Sequence, residues 1–181
     1  IECPIAHPAL MVRRQVLQTL RGYRDQGWPE DYDLIMRTVE AGFDIANVPA
    51  VLLHWRERPD RLSRNDPRYS PEAFRRCKVH FIRKLRLLRR PVAIWGAGPT
   101  GKAFAKALQE QRVEVRGFID IDPKKIGQHP NGLPVLAQDD LPTLDDCYIL
   151  AAVGSAAARG LIRKALVQAG RVEVADFCAV A

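Results

Sequence analysis

The chain has 181 residues, of which 47% are hydrophobic, 7% aromatic and 27% charged, with a formal net charge of +7. That apolar content argues against disorder, and no apolar run approaches a membrane span or reads as a signal peptide. Four scattered cysteines (Cys3, Cys77, Cys147, Cys178) form no Cys-x-x-Cys pair, which argues against a disulfide framework or zinc site and fits a reducing cytoplasm.

The chain opens at Ile1 without an initiator Met and is expected to be a fragment of a longer protein. Its charge is uneven. Residues 1–55 carry five basic and seven acidic side chains, residues 56–90 thirteen and four, and residues 91–181 ten of each. The basicity therefore belongs to one segment, and three zones are expected: 1–69, 70–90 and 91–181.

In the first zone, Val12 to Leu20 predicts a short helix with Val16, Leu17 and Leu20 on one face. Residues 22–27 read as a loop. Asp31 to Ala41 predicts a second helix, with Leu34, Ile35 and Val39 inward and Gly42 as its stop. Ile45 to Leu53 predicts a strand interrupted by Pro49.

Pro8 to Arg14, then Gly22-Tyr23-Arg24, Glu30-Asp31-Tyr32-Asp33-Leu34, Arg37 and Gly42 form an ordered set. The set resembles the C-terminal half of family-2 glycosyltransferases of the GT-A fold, over about residues 5 to 65. The resemblance implies that Asp31 takes the proton of an acceptor hydroxyl as that hydroxyl attacks the sugar, and that Glu30 orients the site or binds acceptor. Asp33 is expected to matter far less to transfer. A carboxylate in the first turn of a helix is stabilised in the ionised form a base needs, by about 0.3–1 kcal/mol. The alternative is a plain N-cap acid.

The resemblance further implies a nucleotide-sugar donor, a glycan or lipid-linked acceptor, and a divalent metal (Mg or Mn). Trp55 and Arg56 are the expected acceptor-binding pair. The family's donor half and its strand-ending metal motif are absent, so the isolated chain is expected to be inactive and no metal ligand is assigned. His54 falls where that family sometimes has a third metal ligand but reads as a loop or strand-end histidine, and Asp31-Tyr32-Asp33 opens a helix instead of ending a strand.

In the second zone, Ser70-Pro71-Glu72 gives an N-cap, a proline at the first helical position and an acid in the first turn. Phe74, Cys77, Phe81, Leu85 and Leu88 then recur at helical spacing until Pro91, with arginines and lysines off that stripe. This basic amphipathic helix is expected to pack. Its arginines also permit contact with an anionic membrane at the cytoplasmic face. No nucleic-acid module accompanies it, so no nucleic-acid partner is expected. Oligomeric state is not legible.

The third zone alternates strands and helices, which predicts an α/β, Rossmann-like parallel sheet with flanking helices. Expected strands are Val92–Trp95, Val113–Asp120 and Tyr148–Val153. Expected helices are Thr100–Gln111 and Ala156–Gln168, the latter capped by Ser155 and ended by Gly170. Gly96-Ala97-Gly98-Pro99-Thr100-Gly101 falls between strand and helix, and Asp120 ends the next strand. That order predicts a pyrophosphate cradle: Gly96 for the tight turn, Gly98 for close approach, Gly101 for helix packing and Asp120 for ribose hydroxyls. Gly154 and Ser155 are expected across the crevice. Lys124 and Lys125 either accept a ribose 2′-phosphate or stand solvated. Asp120-Ile121-Asp122 reads as ribose binding plus loop, not as a metal motif. A Rossmann-shaped domain whose turn holds no ligand is the alternative.

Residues 93–98, 117–127 and 131–135 of this zone resemble the Rossmann-like domains of sugar O-acyltransferases and sugar C-methyltransferases. The resemblance implies a nucleotide or nucleotide-sugar ligand, with NAD as competitor. There is no Tyr-x-x-x-Lys, and His129 sits in a Pro/Asn/Gly loop. Binding is therefore read in preference to hydride chemistry, and an NAD-dependent oxidoreductase or NAD-sensing module is the rival reading.

Overall fold

A computed structural model describes residues 5–56, 60–84 and 90–181. The chain divides into two compact units, one running up to Phe81 and the other from Ile82 onward.

The N-terminal unit is built from helices. They are α1 (Arg14–Leu20), α2 (Glu30–Glu40), α3 (Leu62–Asn65) and most of α4 (Pro71–Lys84), which crosses the division. Arg21 closes α1 in the left-handed conformation, and Gly42, at φ +77°, follows the end of α2. In α2, Tyr32, Leu34, Ile35 and Met36 are buried, whereas Val39, expected inward, is about half exposed. Ser70 caps α4 by accepting the Ala73 N–H at 3.2 Å, as its sequence predicts, and Cys77 and Phe81 are buried along its stripe. The expected helix beyond Lys84, with Leu85 and Leu88, lies outside the described residues.

The strand expected at Ile45–Leu53 is not formed. Residues 43–55 form no ladder and bend at Pro49–Ala50, where the Ala50 N–H donates to the Val48 carbonyl at 2.8 Å, leaving Val48, Val51 and Leu52 exposed, Val51 at 81%. A strand needs a partner edge, and no strand occurs among the described residues of this unit.

The C-terminal unit is a five-stranded parallel sheet in the order β3-β2-β1-β4-β5. Its strands are β1 (Val92–Trp95), β2 (Val115–Ile119), β3 (Val135–Leu136), β4 (Tyr148–Ala151) and β5 (Phe177–Ala179). Helix α5 (Pro99–Glu110) follows β1, and α6 (Ala156–Gln168) follows β4. β1 and β4 are buried at every residue, which explains why Val-Ala-Ile-Trp and Tyr-Ile-Leu-Ala show no alternation. Trp95, Ile119, Leu141, Ile149, Ile162, Leu166 and Phe177 belong to one apolar cluster, tying α6 and the 3-10 segment Gln138–Leu144 to the sheet. From β1 the chain builds outward through β2 and β3, then returns to β1's other side with β4. That reversal leaves a crevice at the carboxyl ends of β1 and β4, where open α/β sheets bind ligands.

Candidate functional site

The glycine turn lies at this reversal. Gly96, at φ +112°, would place a Cβ 2.8 Å from Val153 Cγ2, so turn and packing both demand glycine. A Cβ on Gly101 would sit 1.8 Å from the Gly96 carbonyl oxygen, so the start of α5 can lie against the turn only without a side chain. Gly98 differs. Its backbone is extended, with φ −83° and ψ −175°, and a Cβ there would meet nothing within 4 Å. The fold itself does not require that glycine.

A cavity of about 630 Å³ opens over this turn, with Gly96, Gly98, Pro99, Thr100, Val153 and Gly154 in its wall. Ile121, Lys125, Leu161 and Lys164 also line it. The exposed Ile121 and Leu161 offer apolar surface, and the N-terminus of α5 offers the positive end of a helix dipole.

Of the residues expected at the site, Gly96, Gly98, Asp120 and Gly154 line the cavity, while Gly101 supports it from behind. Ser155 caps α6, accepting the Ala158 N–H at 3.4 Å, and is not part of the wall. Arg159 donates to the carbonyls of Val153 and Gly154 at 3.1 and 2.6 Å, holding the loop opposite the glycine turn.

Asp120 stands where a ribose-binding acid is expected, but its carboxylate is engaged by the protein. Oδ2 accepts the Ala97 N–H at 2.8 Å and the Lys125 ammonium at 3.1 Å, and Oδ1 accepts the Asp122 N–H at 3.0 Å. Burial pushes this carboxyl up. The N–H groups of Asp122 and Ala97 and the Lys125 cation outweigh burial and hold it below the ordinary carboxylate range. Asp120 thus clamps the glycine turn to the end of β2.

The N-terminal unit gathers a second set of polar groups at the start of α2. Asp31 lies in the first turn with its side chain 23% exposed, 3.7 Å from His7 Nδ1. His7 Nε2 lies 2.9 Å from the Tyr23 hydroxyl. Glu30 accepts the Tyr69 hydroxyl at 2.7 and 2.8 Å. Burial, then the charges of Asp31 and Glu30, push the Tyr23 hydroxyl up. Burial, then the Glu30 hydrogen bond, pushes Tyr69 up.

Asp33 is deeply placed instead. It takes Arg37 Nε at 2.6 Å and Trp28 Nε1 at 3.0 Å, while Arg37 also donates to the carbonyls of Leu20 and Gly22, each at 2.8 Å. The two aspartates of Glu-Asp-Tyr-Asp therefore have different work, and Asp33 is a structural residue. Trp55 is half exposed, with the Arg61 guanidinium stacked 4.0 Å over its ring, and Arg56 is exposed. Among the described residues no group of three His, Cys, Asp or Glu side chains is placed to hold a metal ion.

His7 and Tyr69 carry no sequence signal for their place here, because each comes from a different part of the chain. The sequence leaves Lys125 as either a phosphate ligand or a solvated loop lysine, and it carries no signal for the pairing with Asp120.

Residues 89–171 match the model of the CoA binding domain family, a little under half of the chain. Three solved structures of RSP, a Rex-family repressor, are similar. One, described without a ligand, has 19% identity and a TM-score of 0.43, with coverage of 55% of this chain and 49% of that one. The complex with beta-NADH has 18% identity and a TM-score of 0.42, over 55% and 50%. The complex with beta-NAD+ and operator DNA has 18% identity and a TM-score of 0.42, over 57% and 50%. The chain thus spans about half the length of each. None of these matches is to a glycosyltransferase, and no curated protein matches the sequence significantly.

Proposed function

We propose that the C-terminal unit is a nucleotide-binding module that holds its ligand by a diphosphate over the glycine turn. Gly98 carries this reading: it is glycine without any demand from the fold, and it faces a cavity of about 630 Å³ at the sheet's reversal point. A ligand that approaches the backbone closely supplies the missing demand. The similarity of residues 89–171 to the CoA binding domain family favours a ligand built on adenosine diphosphate, the portion that CoA and NAD share, over a nucleotide sugar. The described cavity wall includes no His, Tyr or Cys to move a proton, so binding or sensing is favoured over hydride transfer. Nucleic acid is not part of this reading.

Calorimetric titration with ADP, NAD+, CoA and a UDP-sugar tests it. An adenine nucleotide should bind. Binding of the UDP-sugar alone would return the site to donor handling, and no binding at millimolar concentration would refute the reading.

A separate observation supports a second reading, for the N-terminal unit. Of the two aspartates in Glu-Asp-Tyr-Asp, Asp31 is the one that remains partly exposed, at a helix start beside His7. Within a complete glycosyltransferase it is suited to take an acceptor hydroxyl's proton. This reading needs a donor-binding half, with its Mg or Mn, that these 181 residues do not supply. It is tested by transfer rates of Asp31→Asn in the full-length protein.

A further inference from the structure

The ribose end of the cavity narrows the ligand class, an inference that rests on the diphosphate reading above. A site for an unmodified ribose offers its hydroxyls a carboxylate with lone pairs to spare, at the end of the second strand. Asp120 holds that place with its side chain only 9% exposed, and its two oxygens already accept three donors. What this strand end presents instead is Lys125, 38% exposed and in the cavity wall. Lys164, on α6, lines the same cavity, so two lysines face one internally engaged acid there. Asp122 is the other acid near Lys125, with Oδ2 3.9 Å from the ammonium.

We propose that the site takes a nucleotide diphosphate whose ribose carries a further phosphate, and that Lys125 leaves Asp120 to bind it. The recognised chemistry is a phosphomonoester on an adenosine ribose, which CoA carries on the 3′ oxygen and NADP on the 2′ oxygen. Releasing Lys125 costs a partly exposed ion pair, which is weak, whereas a phosphate offers up to two charges and three acceptor oxygens. Asp120 keeps both backbone N–H donors after the lysine departs, so the glycine turn stays clamped while the ligand binds.

Titration of the whole chain with two pairs, NADP+ against NAD+ and CoA against dephospho-CoA, tests this and separates the two sources of the phosphate. In at least one pair the phosphorylated member should bind about tenfold tighter or more, the worth of one charge-assisted contact. Lys125→Gln should erase that preference and Lys125→Arg should keep most of it. Equal affinities within both pairs, or a preference that survives Lys125→Gln, overturn the phosphate assignment and leave the diphosphate reading standing. No binding by any of the four at millimolar concentration overturns both. The pairwise comparison in the native chain decides the question however the variants fold.

Discussion

Replacing Asp33 by alanine tests whether the N-terminal unit is organised around its ion pair with Arg37. Both side chains are at most 5% exposed, and Arg37 Nε lies 2.6 Å from Asp33 Oδ2. The variant deletes this contact and the acceptor for Trp28 Nε1, and it leaves the Arg37 guanidinium with only the carbonyls of Leu20 and Gly22. A buried charge stripped of its partner costs about 3–5 kcal/mol, and Asp33→Asn, which keeps an acceptor, should cost about 1.5–3 kcal/mol. Hydrogen exchange read by mass spectrometry places the effect. Peptides covering α1 and α2 should lose about 10²–10⁴-fold protection in the alanine variant, while β1, β4 and α5 stay unchanged as an internal control. Replacing both partners by leucine should cost less than twice the single change, because no lone charge remains. A loss below about 1 kcal/mol for Asp33→Ala would refute the reasoning. It would make Asp33 as expendable as its position after Asp31 suggests from sequence.

In the glycine turn, Gly98→Val should leave the melting temperature nearly unchanged and abolish nucleotide binding, whereas Gly101→Ala, pressed against the Gly96 carbonyl, should lower stability itself. Thermal melts set beside titrations separate the two, and a destabilised Gly98→Val would remove the ligand argument. Asp31→Asn in the full-length protein should stay folded, keep donor affinity and lose about 10²–10⁴-fold in transfer rate; a loss of only a few-fold reduces Asp31 to a cap. Because Asp120 is held below the ordinary carboxylate range, its contribution to stability is complete above that range and is lost as pH falls through the lowered value. Acid unfolding of Asp120→Asn should thus begin from a less stable protein and depend less on pH; an unchanged acid limb contradicts the clamp.

The parts of the fold that were readable are those whose signal is local. β1 is a four-residue apolar run before a glycine, and α6 begins at a serine that caps it and is followed by Gly170 at φ +78°. β3 and β5, two and three residues long, are too short for any periodicity to show. They exist because β2 and β4 offer edges to pair with. The same physics, inverted, undoes the strand expected at Ile45–Leu53, whose apolar pattern meets no edge among the described residues. At the site, the glycine turn and the place of Asp120 followed from spacing. That the Asp120 carboxylate is engaged by three donors did not, since they are two backbone N–H groups and one lysine rotamer. Likewise, nothing in Glu-Asp-Tyr-Asp distinguishes the buried Asp33 from the partly exposed Asp31 until Arg37 and Trp28 are placed around it.

Backbone amide resonances followed during titration with ADP report where a diphosphate sits as well as whether it binds. The largest shifts should fall on Gly96, Gly98, Thr100 and Gly154, around the cavity of about 630 Å³, and should vanish in Gly98→Val. Unshifted amides at millimolar ADP, or shifts confined to residues outside the glycine turn, would contradict a diphosphate held over that turn.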